Sequence, residues 1–195
     1  MRPFLILASL LVAAPLAAQT SAPPAGRPIS NAGVPRAAAL VDSVYLDKLL
    51  PRAVVDGGDF TAYLMARLGV GALPPDFAFT VQMDSLLIRM GGRIADLPAE
   101  ARRSLSQLVM MLPADSRLEA QISLHRAGPE AVRFHLQGAT IRGIPVPDAF
   151  LGPVMASIGK QYPALTETGR DLFVRIPPGA GMALSPLGVA LIGPP

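Results

Sequence analysis

The sequence predicts an α+β domain in which a strongly curved antiparallel sheet wraps a long amphipathic helix. Three observations carry this reading. First, Leu118, Ala120, Ile122 and Leu124 alternate with Glu119, Gln121, Ser123 and His125, and Val132, Phe134 and Leu136 alternate with Arg133, His135 and Gln137. The intervening Gly128-Pro129-Glu130 loop pairs Leu124 with Phe134 and Ile122 with Leu136, so both apolar faces coincide, as a half-buried hairpin requires. Second, Ala101, Leu105, Leu108, Val109 and Leu112 form one apolar stripe on a predicted helix from Pro98 to Leu112. Third, the strand-like stretches change face along their length. Side chains alternate strictly along a strand, so such a change demands a bulge or a turn, and bulged strands build curved sheets.

The remaining elements follow in chain order. Ala37 to Leu50 reads as helix and stops at Pro51. Gly57-Gly58-Asp59-Phe60 opens a second helix, with Asp59 as the predicted cap, Phe60, Leu64 and Leu68 on one face, and Gly69 as its end. The letters GGDF also begin the signature of diguanylate cyclases, but the next acidic residue and the size of such a domain are missing. Phe77, Phe79, Val81 and Met83 then alternate in one phase and Leu86, Ile88, Met90 and Ile94 in the other, with the flip at Asp84-Ser85. Pro98 suits a first helical turn, Glu100 favours the positive end of the helix, and Pro113 stops it. Beyond Gly138 the inward phase shifts to Ala139 and Ile141. Arg142 to Pro147 closes the strand before a helical stretch carrying Phe150, Leu151, Val154, Met155 and Ile158, with Pro153 demanding a kink or a late start. Leu172, Val174 and Ile176 form one final strand. Met182 to Leu191 forms another that flips near Pro186.

The N-terminus is laid out for export. Arg2 is followed by an apolar run from Phe4 to Ala14 and by small residues around Ala17-Ala18-Gln19, the layout of a signal peptide over residues 1–19. Thr20 to Pro35 is rich in Pro, Ala, Gly and Ser and reads as a flexible linker over 20–35. Residues 36–195 then form a single domain. A periplasmic location is expected, and the absence of Cys excludes a lipidated N-terminal cysteine.

Composition narrows the chemistry. The chain of 195 residues is 51% hydrophobic, 5% aromatic and 16% charged, with 21 Pro and 18 Gly, which excludes a disordered chain and a continuous coiled coil. With no Cys and two His, thiolate metal sites and cysteine nucleophiles are excluded and acid–base chemistry has few candidates. Net charge is +3, but apart from Lys48 and Lys160 the cations are arginines, scattered singly except at Arg102-Arg103. No basic run interleaves with aromatics, so nucleic acid is not an expected partner. No nucleophile elbow, P-loop, zinc-protease or dinucleotide fingerprint occurs. In the hairpin register His125 faces Arg133 and His135 faces Ser123 on the polar side, too few ligands for a metal site. The aspartates sit mostly at turns and helix starts, where capping explains them.

Met65, Met83, Met90, Met110, Met111, Met155 and Met182 enrich the apolar side with flexible, polarisable side chains suited to variable apolar ligands. The stretch Asp59-Phe60-Thr61-Ala62-Tyr63-Leu64, the strand–helix–strand–strand middle from Phe77 to Arg142, the turn Gly143-Ile144-Pro145-Val146-Pro147 before a helix, and the closing strand pair ending at Leu187 to Gly193 carry a family resemblance. Over Gly57 to Pro195 the chain resembles exported bacterial lipid-binding domains. These are the group of unknown function that includes the mycobacterial envelope phospholipid-binding protein, and the wider BPI-like tubular group. The resemblance implies a BPI-like half-barrel that binds acyl chains without a cofactor, a metal or a catalytic residue.

The expected function is periplasmic, non-enzymatic binding of a lipid or other apolar ligand in a groove between sheet and helix. Phe77, Phe79, Val81, Leu86, Ile88, Ile122, Leu124, Phe134 and Leu136 would line it from the sheet, and Leu105 and Leu108 from the helix. Peripheral membrane contact and an envelope protein partner are compatible with this. The alternative is an envelope scaffold protein with a fully packed core. A third reading, a hydrolase, requires a cleft gathering His125 or His135 with an Asp and a Ser.

Overall fold

The computed structural model of the chain describes residues 26–96, 113, 115–162 and 164–195. The expected signal peptide, the start of the expected linker and the helix predicted over Pro98–Leu112, with Leu105 and Leu108, fall outside these residues.

Among the described residues, three α-helices pack with two antiparallel sheets. Arg27–Pro28 is a two-residue strand, β1, and Ile29 behind it is buried. Helix α1 spans Gly33–Tyr45 and buries Ala37 and Val44, two turns apart on one face. The fold therefore takes in residues 27–35, which composition assigns to a linker. Pro28 pairs with Thr80, the Ile29 N–H donates to the Phe79 carbonyl at 3.2 Å, and burial of Ile29 in the core offsets the entropy of ordering them.

Strand β2, Arg52–Asp56, runs straight into helix α2, Gly57–Arg67. The cap is Asp56 rather than Asp59: its carboxylate accepts from the Gly58 N–H at 2.9 Å and the Asp59 N–H at 3.4 Å. Asp56 holds the extended backbone that a cap needs, whereas Asp59 is already within the helix. Asp59 instead receives a two-pronged bond from Arg36 at 2.6 and 2.7 Å, which ties α1 to α2. A side chain at Gly58 would collide with the Pro28 carbonyl, so the GGDF stretch is a close-packing device here. Gly69, at φ +86°, ends the helix as the spacing predicts, with Gly69 N–H bonded to Ala66 O and Val70 N–H to Met65 O, both at 3.0 Å.

The larger sheet runs β1, β3 (Thr80–Met83), β4 (Leu87–Arg93), β5 (Arg117–Arg126) and β6 (Ala131–Ile141). Along its far edge β6 pairs first with β8 (Asp171–Arg175) and then with the two-residue β7 (Ile144–Pro145). Helix α3, Asp148–Gln161, connects β7 to this edge and begins directly after Pro147, with Pro153 inside it. The smaller sheet is β2, β10 (Gly188–Ile192) and β9 (Gly181–Ser185), with β10 buried at its centre.

The β5–β6 register matches the sequence reading: Leu124 opposes Phe134, Ile122 opposes Leu136, and Ser123 opposes His135. A bulge at Gln137 then brings Gly138 opposite Gln121, and Ala139 and Ile141 take over the inner face.

The expected wrapped half-barrel is not what forms. The class is α+β, but among the described residues the sheets are neither closed nor strongly curled, and no long amphipathic helix is wrapped by them. The physical reason lies in the phase changes. At Asp84-Ser85 the change is a hairpin turn, in which the Asp84 carboxylate accepts from the Leu86 and Leu87 N–H groups at 2.7 and 2.8 Å. Near Pro186 it is another hairpin turn, between β9 and β10. Turns reverse the chain without curving a strand, so β5–β6 carries the one bulge among these three phase changes.

Candidate apolar binding site

One face of the larger sheet floors a trough of about 350 Å³, within the size range of small-molecule sites. Ile88 and Met90 of β4, Ile122 and Ala120 of β5, and Phe134 and Leu136 of β6 point into it, brought to one face by the antiparallel register. Helix α2 supplies Thr61, Leu64 and Met65, with Leu68 at its C-cap, and α3 supplies Leu151, Val154, Met155 and Ile158. Both sets follow the i, i+3, i+4, i+7 spacing of a single helix face. Helix α2 is fixed by its cap and by Phe60, which lies 6.0 Å from Phe134 between ring centroids. Helix α3 buries only Leu151 and Gly159 and so rests more lightly on the sheet.

The polar groups around the trough are accounted for. The Thr61 hydroxyl donates to the Gly57 carbonyl at 2.8 Å, and Arg170 at the edge donates to Asp148 at 2.8 Å. The wall is thus almost wholly hydrocarbon and thioether, a lining that favours apolar surface over water.

Of the sequence-predicted lining residues, Ile88, Ile122, Phe134 and Leu136 come together here. Phe79 and Val81 are core side chains, and Phe77 stacks on Phe79 with centroids 5.1 Å apart. Leu124 packs half-buried against the same core. Leu86 is 74% exposed, because it sits in the β3–β4 turn ahead of the strand whose phase it was assigned to. Leu105 and Leu108 are outside the described residues. The walls from α2 and α3 were missed as lining. Their helical spacing was visible, but a single sequence does not say which helix lies over which sheet face.

A second hollow of about 370 Å³ lies on the other side of α2, between α1, α2, the edge strand β8 and β9. It abuts the trough along Phe60, Leu64, Leu68 and Leu172, which line both. Tyr45 closes one side, its hydroxyl donating to the Gly181 carbonyl at 2.6 Å. Burial pushes its phenol pKa up to about 12, against the opposing effect of the Ile192 N–H. Arg67 and Arg175 also line this cleft.

The histidines lie on the opposite, outer face of the larger sheet. His125 Nε2 is 2.8 Å from Ser123 Oγ, while His135 Nδ1 is 2.8 Å from Asp171 Oδ1, with Arg133 at 3.7 Å from the same oxygen. Serine hydrolysis requires one imidazole bridging nucleophile and carboxylate. Here the two contacts belong to different histidines, and Ser123 is 4% exposed. Among the described residues no group of three or more His, Cys, Asp or Glu side chains is placed to hold a metal ion. No described helix is long and apolar enough to cross a membrane.

Comparison of the chain with protein families, with curated proteins and with solved structures finds no match in any of the three.

Proposed function

We propose that this protein is exported to the periplasm and binds a lipid acyl chain or a similar apolar ligand without acting on it chemically. The observation that supports this best is the trough: three elements converge on it with apolar side chains, and the polar atoms at its margin are held elsewhere. Each methylene moved from water into such a lining contributes about 0.8 kcal/mol, so a chain of moderate length binds after ordering costs are met. Thioethers of Met65, Met90 and Met155 adapt to chains of different shape. Export rests on the layout of residues 1–19 and is consistent with a cysteine-free chain.

Native mass spectrometry of the protein released gently from its own cell envelope tests this reading. A bound species of lipid or fatty-acid mass, lost on delipidation, is expected, together with a mature N-terminus near Gln19 or Thr20. A purely unliganded mass that takes up no added fatty acid would contradict it.

A further inference from the structure

The cleft beside the trough differs from it in one respect: it carries positive charge. Arg67 stands in the last turn of α2 and Arg175 at the end of β8, and both line the cleft. Arg36, Arg133 and Arg170 each stand within ion-pair distance of a carboxylate, that of Asp59, Asp171 and Asp148 in turn. Among the described residues neither Arg67 nor Arg175 has a carboxylate within ion-pair reach. The helix terminus does not occupy Arg67 fully, because Leu68, Gly69 and Val70 N–H groups already bond the final carbonyls of α2. Tyr63 lines the same cleft, and its hydroxyl makes no hydrogen bond among the described residues.

We infer that the cleft holds the anionic head of an amphiphile whose tail lies in the trough, with Arg67 and Arg175 as the selecting charges. This rests on the proposed binding of apolar chains in the trough. Leu64, Leu68 and Leu172 line both hollows and are part-exposed, so the molecule we infer crosses from cleft to trough over these three side chains, beside the buried Phe60. Guanidinium groups suit carboxylate and phosphate heads alike because their parallel N–H donors match two oxygens at once. Uncharged amphiphiles of the same length gain the tail energy but not this contact.

The test is displacement of the neutral fluorophore N-phenyl-1-naphthylamine from the full mature chain by dodecanoate and by dodecanol. Wild type is expected to prefer dodecanoate by about tenfold, a difference of about 1.4 kcal/mol. In Arg67→Gln with Arg175→Gln the dodecanoate-to-dodecanol ratio should fall towards one, and in Arg67→Lys with Arg175→Lys it should largely persist. Thermal unfolding of each variant confirms that the ratio is read on folded protein. Equal displacement of the fluorophore by both ligands from wild type would overturn the anionic head and leave the trough reading standing. No fluorophore uptake at all would overturn the trough reading itself. Inorganic phosphate binding in calorimetry as tightly as dodecanoate, with the same arginine dependence, would assign the cleft to a free anion and overturn the amphiphile.

Discussion

Phe60 of α2 and Phe134 of β6 meet with ring centroids 6.0 Å apart and planes tilted by 39°, joining helix to sheet at the point where trough and cleft adjoin. Phe60 is 1% exposed and Phe134 5%. The pair fixes the separation between α2 and the sheet, and therefore the width of the trough beside it.

Phe60→Ala removes this strut and leaves a cavity under α2. A loss of about 3–5 kcal/mol is expected, read as a lowered urea midpoint. Phe60→Leu retains most of the volume and should cost clearly less. Equal effects of the two substitutions would show that the contact does not set the helix position.

The start of α2 depends on Asp56. Asp56→Ala leaves the Gly58 N–H without its acceptor and should cost about 1 kcal/mol. Asp56→Asn keeps a capping oxygen and should be close to neutral. The exposed Arg27–Asp56 ion pair, at 3.4 Å, adds little to this difference. Urea unfolding of both variants decides it, and an Asn variant as unstable as the Ala variant would move the effect from the cap to the charge.

Tyr45 predicts a specific alkaline weakness. Its phenol ionises near 10 in the unfolded chain and at about 12 in the fold, because burial disfavours the phenolate. The stabilisation tied to the neutral phenol is therefore fully present below pH 10 and lost as pH rises from 10 towards 12, at about 1.4 kcal/mol per pH unit. Urea midpoints measured from pH 9 to 12 should fall more steeply for wild type than for Tyr45→Phe. Parallel curves would exclude Tyr45 as the titrating group.

Legibility of the fold followed the strength of local patterning. The β5–β6 register could be read to the residue because strict alternation on both strands is interrupted only by a turn tripeptide. The phase flips at Asp84-Ser85 and Pro186 were also visible, but a bulge and a turn satisfy the same parity constraint. Bulges at the flips would curve the sheet, whereas the carboxylate of Asp84 on two backbone N–H groups makes the first of them a turn. Strand β2 was illegible because Ala53, Val54 and Val55 do not alternate, and only Val55 is deeply buried. The floor of the trough was partly legible, since Ile88, Ile122, Phe134 and Leu136 share a face by parity alone. Its walls were not, because the placement of α2 and α3 over that face is a long-range property of the chain.

The most direct test of the trough is a paired measurement on Ile122→Gln in the full chain. Ile122 is half-buried at the centre of the floor, so an amide there reaches trough water in delipidated protein and avoids the full cost of a buried unpaired polar group. The denaturant midpoint should correspond to a loss of only about 1 kcal/mol, while affinity for N-phenyl-1-naphthylamine drops by about tenfold or more, the equivalent of at least 1.4 kcal/mol. A wild-type chain that binds no fluorophore, with Ile122→Gln unfolding it outright, would contradict the account and show a packed core in place of a binding trough.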